Sequence, residues 1–309
     1  MKRKKTFMEK VSNKLKIYLY SSLILTGIAT VLAALNYIFF FDTAEGYFAS
    51  SPLLVFLTAL FALCIIWFAS TAFLIPKGVL DGAAPTTLTV NVASIPLALV
   101  CAGIGVFMIV SSLLLNVSEG GSIFYTFFPS FFNTIPDRTP LLLFCGIFLI
   151  ISVAYFVILF ISHKTSGDII AFVGFSLPIA TLLLTAIAYF DIHMALNSPL
   201  KIAFMLSNIS FMIFSLYEIR VLLGRPMPRA YLSFGMLAVL LSALASVPQI
   251  VAYSLGRFSE TRYLVCAVFS LCVFFYTATR LLTFVSARDL LERISDQTPA
   301  DDEITEEGE

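Results

Sequence analysis

Residues 1–16, MKRKKTFMEKVSNKLK, carry seven lysines and arginines, and residues 17–41, IYLYSSLILTGIATVLAALNYIFFF, carry no charged side chain. A bilayer's hydrocarbon core is about 30 Å thick, and a helix rising about 1.5 Å per residue needs roughly 20 apolar residues to cross it. The uncharged run is long enough. It also exceeds the roughly 7–15 apolar residues of a cleavable signal, and no small-x-small cleavage site accompanies it, so it reads as a first span acting as a signal anchor.

The same alternation of charge cluster and apolar run continues along the chain. Of 309 residues, 59% are hydrophobic and 12% charged, with a mean hydropathy of +0.96, whereas a soluble domain carries about 25% charged residues. Backbone groups in lipid must be paired within the protein, which leaves helices or closed barrels. No strand-length alternation of apolar and polar residues runs through these blocks, so a barrel is set aside. The fold class is therefore an all-α integral membrane protein. Spans are predicted near 17–41, 51–75, 93–116, 139–162, 169–190, 200–223, 230–255 and 263–285. This divides the chain into a basic segment at 1–16, an eight-span domain at 17–285, and a polar helical extension with an acidic tail at 286–309. The stretch 120–136 is uncharged but interrupted by Pro129 and crowded with Phe124, Tyr125, Phe127, Phe128, Phe131 and Phe132. Aromatic rings favour the water–lipid interface, so it is read as an interfacial or re-entrant loop and not as a ninth span.

Eight spans entering from the cytoplasm place both termini inside. The cytoplasmic side then receives the seven amino-terminal basic residues with Lys77, Lys164, Arg220, Arg225, Arg229, Arg280, Arg288 and Arg293, and the outer side receives Arg138, Lys201, Arg257 and Arg262. Fifteen against four is the asymmetry of the positive-inside rule, and gaining or losing one span would scramble it. The compact loops suggest a plasma membrane, specifically a bacterial inner membrane. The even-numbered spans end alike, in FLIPKG, ILFISHK, IRVLLGR and TRLLTFVSAR, which the same rule explains without an internal repeat.

Chemistry-bearing residues are sparse. The five cysteines all sit in apolar runs without metal-ligand spacing and read as packing residues. Of the two histidines, His163 lies at a span end beside Lys164, and His193 lies in a loop near Asp191, a poor start for a metal site that normally takes about four ligands. H-E-x-x-H, G-x-x-x-x-G-K-[ST] and G-x-G-x-x-G are absent, so no cofactor, nucleotide or nucleic acid is expected. The sequons at Asn116 and Asn208 abut or lie within spans. Pro96 opens the third span, Pro178 follows Gly174 inside the fifth, and Pro248 is expected to interrupt the seventh; such breaks release backbone carbonyls that transporters use near the midplane.

The strongest polar signal is Glu218 in the sixth span with Arg280 in the eighth, because a charge within a span is costly unless it faces a partner or a watery path. Glu218 precedes Arg225 by seven residues and Arg280 precedes Arg288 by eight, so both lie about 10–12 Å from those cytoplasmic anchors. Equal depth permits pairing. Asn208 and Gln249 would extend a polar path outward from that pair. These residues, with Pro178, form the candidate substrate or ion path.

Three classes of function fit. Broken spans and embedded charges favour a small-solute secondary transporter or permeation protein. The alternative is a non-catalytic membrane subunit, sensor or assembly factor, whose acidic tail DDEITEEGE would dock another membrane or cytoplasmic protein while the basic amino terminus contacts anionic lipid heads. The third, an intramembrane enzyme acting on lipid, suffers from the shortage of histidines and clustered carboxylates. The substrate itself is not written in any motif.

Overall fold

The computed structural model describes residues 2–42, 47–70, 92–117, 139–161, 167–191, 198–223, 227–256 and 261–297. The aromatic segment 120–136, His163, Lys164, His193 and the tail beyond 297 lie outside them. In chain order the elements are α1 (Lys2–Phe40), β1 (Phe41–Asp42), β2 (Tyr47–Phe48), α2 (Pro52–Ala69), α3 (Ser94–Val117), α4 (Thr139–Ile161), α5 (Gly167–Gly174), α6 (Ser176–Phe190), α7 (Pro199–Leu222), α8 (Pro228–Ser254) and α9 (Thr261–Gln297). With α5 and α6 counted as one broken span, the described residues contain eight helices long and apolar enough to cross a membrane, which fits a polytopic membrane protein.

Local chemistry sets several of the ends. Proline occupies the first turn of α2, α7 and α8, where its missing N–H removes no helical bond. At α2 the Ser51 hydroxyl also accepts from the Leu54 N–H at 3.1 Å, satisfying one of the helix's orphan donors. The basic amino-terminal segment is the first part of α1, and α9 continues past the apolar block to Gln297. A two-residue antiparallel ladder, Phe41 with Phe48 and Asp42 with Tyr47, follows α1. There Tyr37, Phe41 and Phe48 meet ring to ring at 4.7–5.3 Å and pack with Leu200 and Ala252 into a small cluster of their own.

Polarity in the bundle runs inside out. Along α1, Ser22, Thr26, Thr30 and Asn36 are buried, while Ile17, Tyr20, Ile24, Ile28, Val31, Leu35 and Phe39 form an exposed stripe at steps of three and four. A water-soluble helix would show the reverse. The interior is built around α8, which packs against α1, α2, α7 and α9; every residue from Ala238 to Ala243 is buried, so no side of its middle faces outward. Hydroxyls tie it in: Ser207 donates to Ser242 at 3.1 Å, and Ser242 in turn donates to the Ala238 carbonyl.

One difference from the sequence reading bears on the spans. Pro248 leaves α8 helical through Ser254, because a span packed on neighbours tolerates the loss of one backbone bond. Lys201, counted on the outer side at the start of the sixth span, is buried in the first turn of α7 and donates from Nζ to the Asp191 carbonyl at 2.7 Å.

Glycines set the closest approach. An added Cβ at Gly146 in α4 would lie 2.8 Å from the Gly105 carbonyl of α3, so this crossing requires bare backbone. The periphery is looser. α2 fully buries only Cys64 and Phe68, and its last turn is anchored by the Phe68 carbonyl, which accepts from Tyr18 on α1 at 3.2 Å and from Ser233 on α8 at 3.0 Å. Beside it Trp67 stacks on Tyr18, ring centroids 6.0 Å apart.

Candidate functional site

On α7 the buried residues Ser207, Phe211, Phe214 and Glu218 follow one another at steps of four, three and four, which gathers them on one face. On α9, Phe269, Val273, Tyr276, Arg280 and Phe284 do the same. The faces meet at the charges. Arg280 donates from Nε to Glu218 Oε1, and the Tyr276 hydroxyl donates to Glu218 Oε2 at 2.8 Å. Glu218 is 0% and Arg280 2% exposed, whereas the nearer-in-sequence Arg220 is exposed. The pairing that equal depth permits is thus the one formed.

Three tyrosines surround the pair. Tyr155 of α4 lies beside Tyr276, and Tyr155 and Tyr231 of α8 are both near the two charges. All three rings are fully buried. Around them, Phe156 and Phe211 meet the Tyr276 ring edge-on at 5.3 and 6.1 Å, and Phe214 and Phe284 lie 5.0 and 5.1 Å from Tyr231. The Arg280 guanidinium carbon sits 5.9 Å from the Tyr276 centroid, within cation–π range. Sequence reasoning missed these tyrosines, since a lone tyrosine in an apolar run looks like packing. Their spacing offers one signal: Tyr276 precedes Arg280 by four residues, one helical turn.

The pair is only partly saturated. Guanidinium presents a planar fork of five N–H donors, yet Glu218 takes Nε and turns its second oxygen to Tyr276, and Arg280 Nη2 is buried with no partner. Thr277 Oγ1, three residues earlier on α9, is also buried without one.

Of the other sequence candidates, none joins this contact group. Asn208 is 1% exposed, with neither amide atom bonded, and lies ten residues from Glu218, about 15 Å along the helix. Gln249 is buried toward the far end of α8 with Nε2 unpartnered. Pro178 is buried just past the break between α5 and α6, where it has no N–H for the Gly174 carbonyl. The break touches the site through Gly174: an added Cβ there would meet the Tyr155 ring at 2.9 Å. Across it Ser152 and Ser176 share a hydrogen bond of 3.0 Å.

Among the described residues no group of three or more histidine, cysteine or acidic side chains is placed to hold a metal ion. What the site offers is a neutral pair of opposite charges, screened from bulk water by aromatic rings, with spare donors on the cationic partner. Comparison with protein-family models, with curated proteins and with solved structures returns no match.

Proposed function

We propose that this chain is a secondary transporter or permeation protein for a small solute, seated in a plasma membrane of bacterial inner-membrane type with both termini in the cytoplasm. The observation that carries the reading is the Glu218–Arg280 pair, completely buried between two membrane spans and left with an unused donor on Arg280. Buried ion pairs are weak contributors to stability, because desolvation offsets most of the attraction. Charges kept inside a span are instead typical of solute and proton pathways. The broken fifth span, which meets the pair through Gly174 and Tyr155, supports the same reading, as do the unpartnered amides of Asn208 and Gln249. The orientation rests on the distribution of lysine and arginine.

The test is flux. Full-length protein in proteoliposomes, challenged with amino acids, sugars, small carboxylates and organic cations, should show saturable uptake of at least one solute, reduced tenfold or more by Arg280→Gln. Absence of saturable flux for every solute class overturns the reading. One observation favours a second reading, a non-catalytic subunit pinned by the pair: the aromatic rings close tightly around it. In that case Glu218→Gln with Arg280→Gln, which removes both charges together, would leave the biological role intact.

A further inference from the structure

Glu218 and Arg280 compensate one another inside a shell of tyrosine and phenylalanine, so the cluster as a whole is neutral. Two departures from neutrality are each unfavourable alone: a proton on Glu218 strands the positive charge of Arg280, and an anion added at Arg280 leaves a surplus negative charge. Together they cancel. A cluster of this composition therefore couples proton and anion by electroneutrality, without any moving part being invoked.

An unused donor on Arg280 marks the point an anion would reach. Arg280 Nη2 is an N–H donor group buried without a partner, and Thr277 Oγ1 beside it on α9 is in the same condition. A guanidinium only donates and so calls for an acceptor, its plane matches the two oxygens of a carboxylate, and the Thr277 hydroxyl is able to donate as well as accept. Resting on the carrier reading above, we propose that Arg280 binds a small monovalent oxyanion, of which a monocarboxylate is the fitting class, and that one proton enters with it and is held by Glu218. Written out, the carboxylate of Glu218 gains a proton to become the acid, the incoming carboxylate replaces it as the partner of Arg280, and no bond other than O–H is made. Tyr276 positions the acid, since its hydroxyl donates to Glu218 Oε2 and can turn from donor to acceptor once Glu218 carries the proton. The ionisable groups facing Glu218 are Arg280 and Tyr276 from α9, Tyr231 from α8 and Tyr155 from α4. On α5 and α6, which also pack on α7, Asp168 and Tyr189 point outward.

The experiment is calorimetric titration of the purified full-length chain with lactate, gluconate, inorganic phosphate and chloride, in buffers of different ionisation heat, with glycerol and choline as neutral and cationic controls. Lactate binding should take up about one proton per anion, and affinity should rise about tenfold for each pH unit lowered while that uptake lasts. Infrared difference spectra should show a protonated carboxyl appearing on lactate addition. Glu218→Gln should bind lactate with no proton uptake and no carboxyl band, and Arg280→Gln should not bind it. Should Glu218→Gln fail to fold, Glu218→Asp must keep the uptake, and the neutral double variant Glu218→Gln with Arg280→Gln must fold and bind no anion. Binding without proton uptake, uptake that survives Glu218→Gln, or binding that survives Arg280→Gln overturns the proposal. So does the failure of every anion tested. If a neutral or cationic solute is nevertheless carried in proteoliposomes, the anion assignment falls and the carrier reading stands; if no solute is carried, both fall.

Discussion

Each oxygen of Glu218 has one donor, Arg280 on Oε1 and Tyr276 on Oε2, so removing either charge leaves the other buried and alone. Glu218→Gln or Arg280→Gln should each lower stability by roughly 3–5 kcal/mol. The exchange Glu218→Arg with Arg280→Glu should recover much of that, read as the thermal midpoint of the detergent-purified protein; additive losses would mean that the two are not energetic partners. Tyr276→Phe should cost about 1.5–3 kcal/mol, the range of a hydrogen bond to a charged group. At this scale the charges were legible because an ion in an apolar run is costly and because two parallel spans share a depth scale, although snorkelling of Arg280 and pairing of Glu218 with Arg220 fitted the sequence as well. The tyrosines were not, since nothing in an isolated sequence distinguishes a tyrosine that packs from one that, like Tyr276, hydrogen-bonds a side chain two spans away. Asn208 stood out for its polarity, but its ten-residue separation from Glu218, about 15 Å along one helix, already kept it out of contact with the pair.

Helix contacts in this bundle are tuned by where glycine sits. Gly146→Ala should push α3 and α4 apart and destabilise by about 1–3 kcal/mol, because its Cβ would collide with the Gly105 carbonyl, which has no freedom to yield. Gly103, two residues away, has open space around its Cβ position, so Gly103→Ala should be neutral or stabilising by up to about 1 kcal/mol through helix propensity. Thermal midpoints of the two variants, compared directly, check the pair of statements. Span positions were readable from uncharged length alone, and the break in the fifth span from Gly174 and Pro178. The short ladder between Phe41 and Phe48 and the burial of Lys201 were not, because both depend on what α7 and α8 present at that end of the bundle. Proline at 248 misled in the other direction: its ring forbids one hydrogen bond, and the surrounding helices keep the segment helical regardless.

At the scale of the molecule, the eight candidate spans among the described residues, in the proposed orientation that would put fifteen basic residues on the cytoplasmic side and four outside, yield a prediction independent of any helix contact. Cysteines introduced at Ala44 or Asn197 should react with an impermeant maleimide from outside, and those at Gly78 or Gly224 only after the cytoplasmic face is opened. Reaction at Gly78 from outside would invert the first hairpin. The spans are also unequally held: α8 is enclosed through its middle, whereas α2 fully buries two residues and is tied at its two ends, by Ser51 to Asn36 of α1 and by the carbonyl of its final turn to Tyr18 and Ser233. That turn contains Trp67, the chain's single tryptophan. Its ring stacks on Tyr18, so the indole emission of the native, unlabelled protein is a local gauge of one joint and says nothing of the charged cluster. On heating, the emission should shift before the circular-dichroism signal of the remaining helices declines, and Tyr18→Ala should bring that shift to lower temperature while leaving the later loss of helix in place.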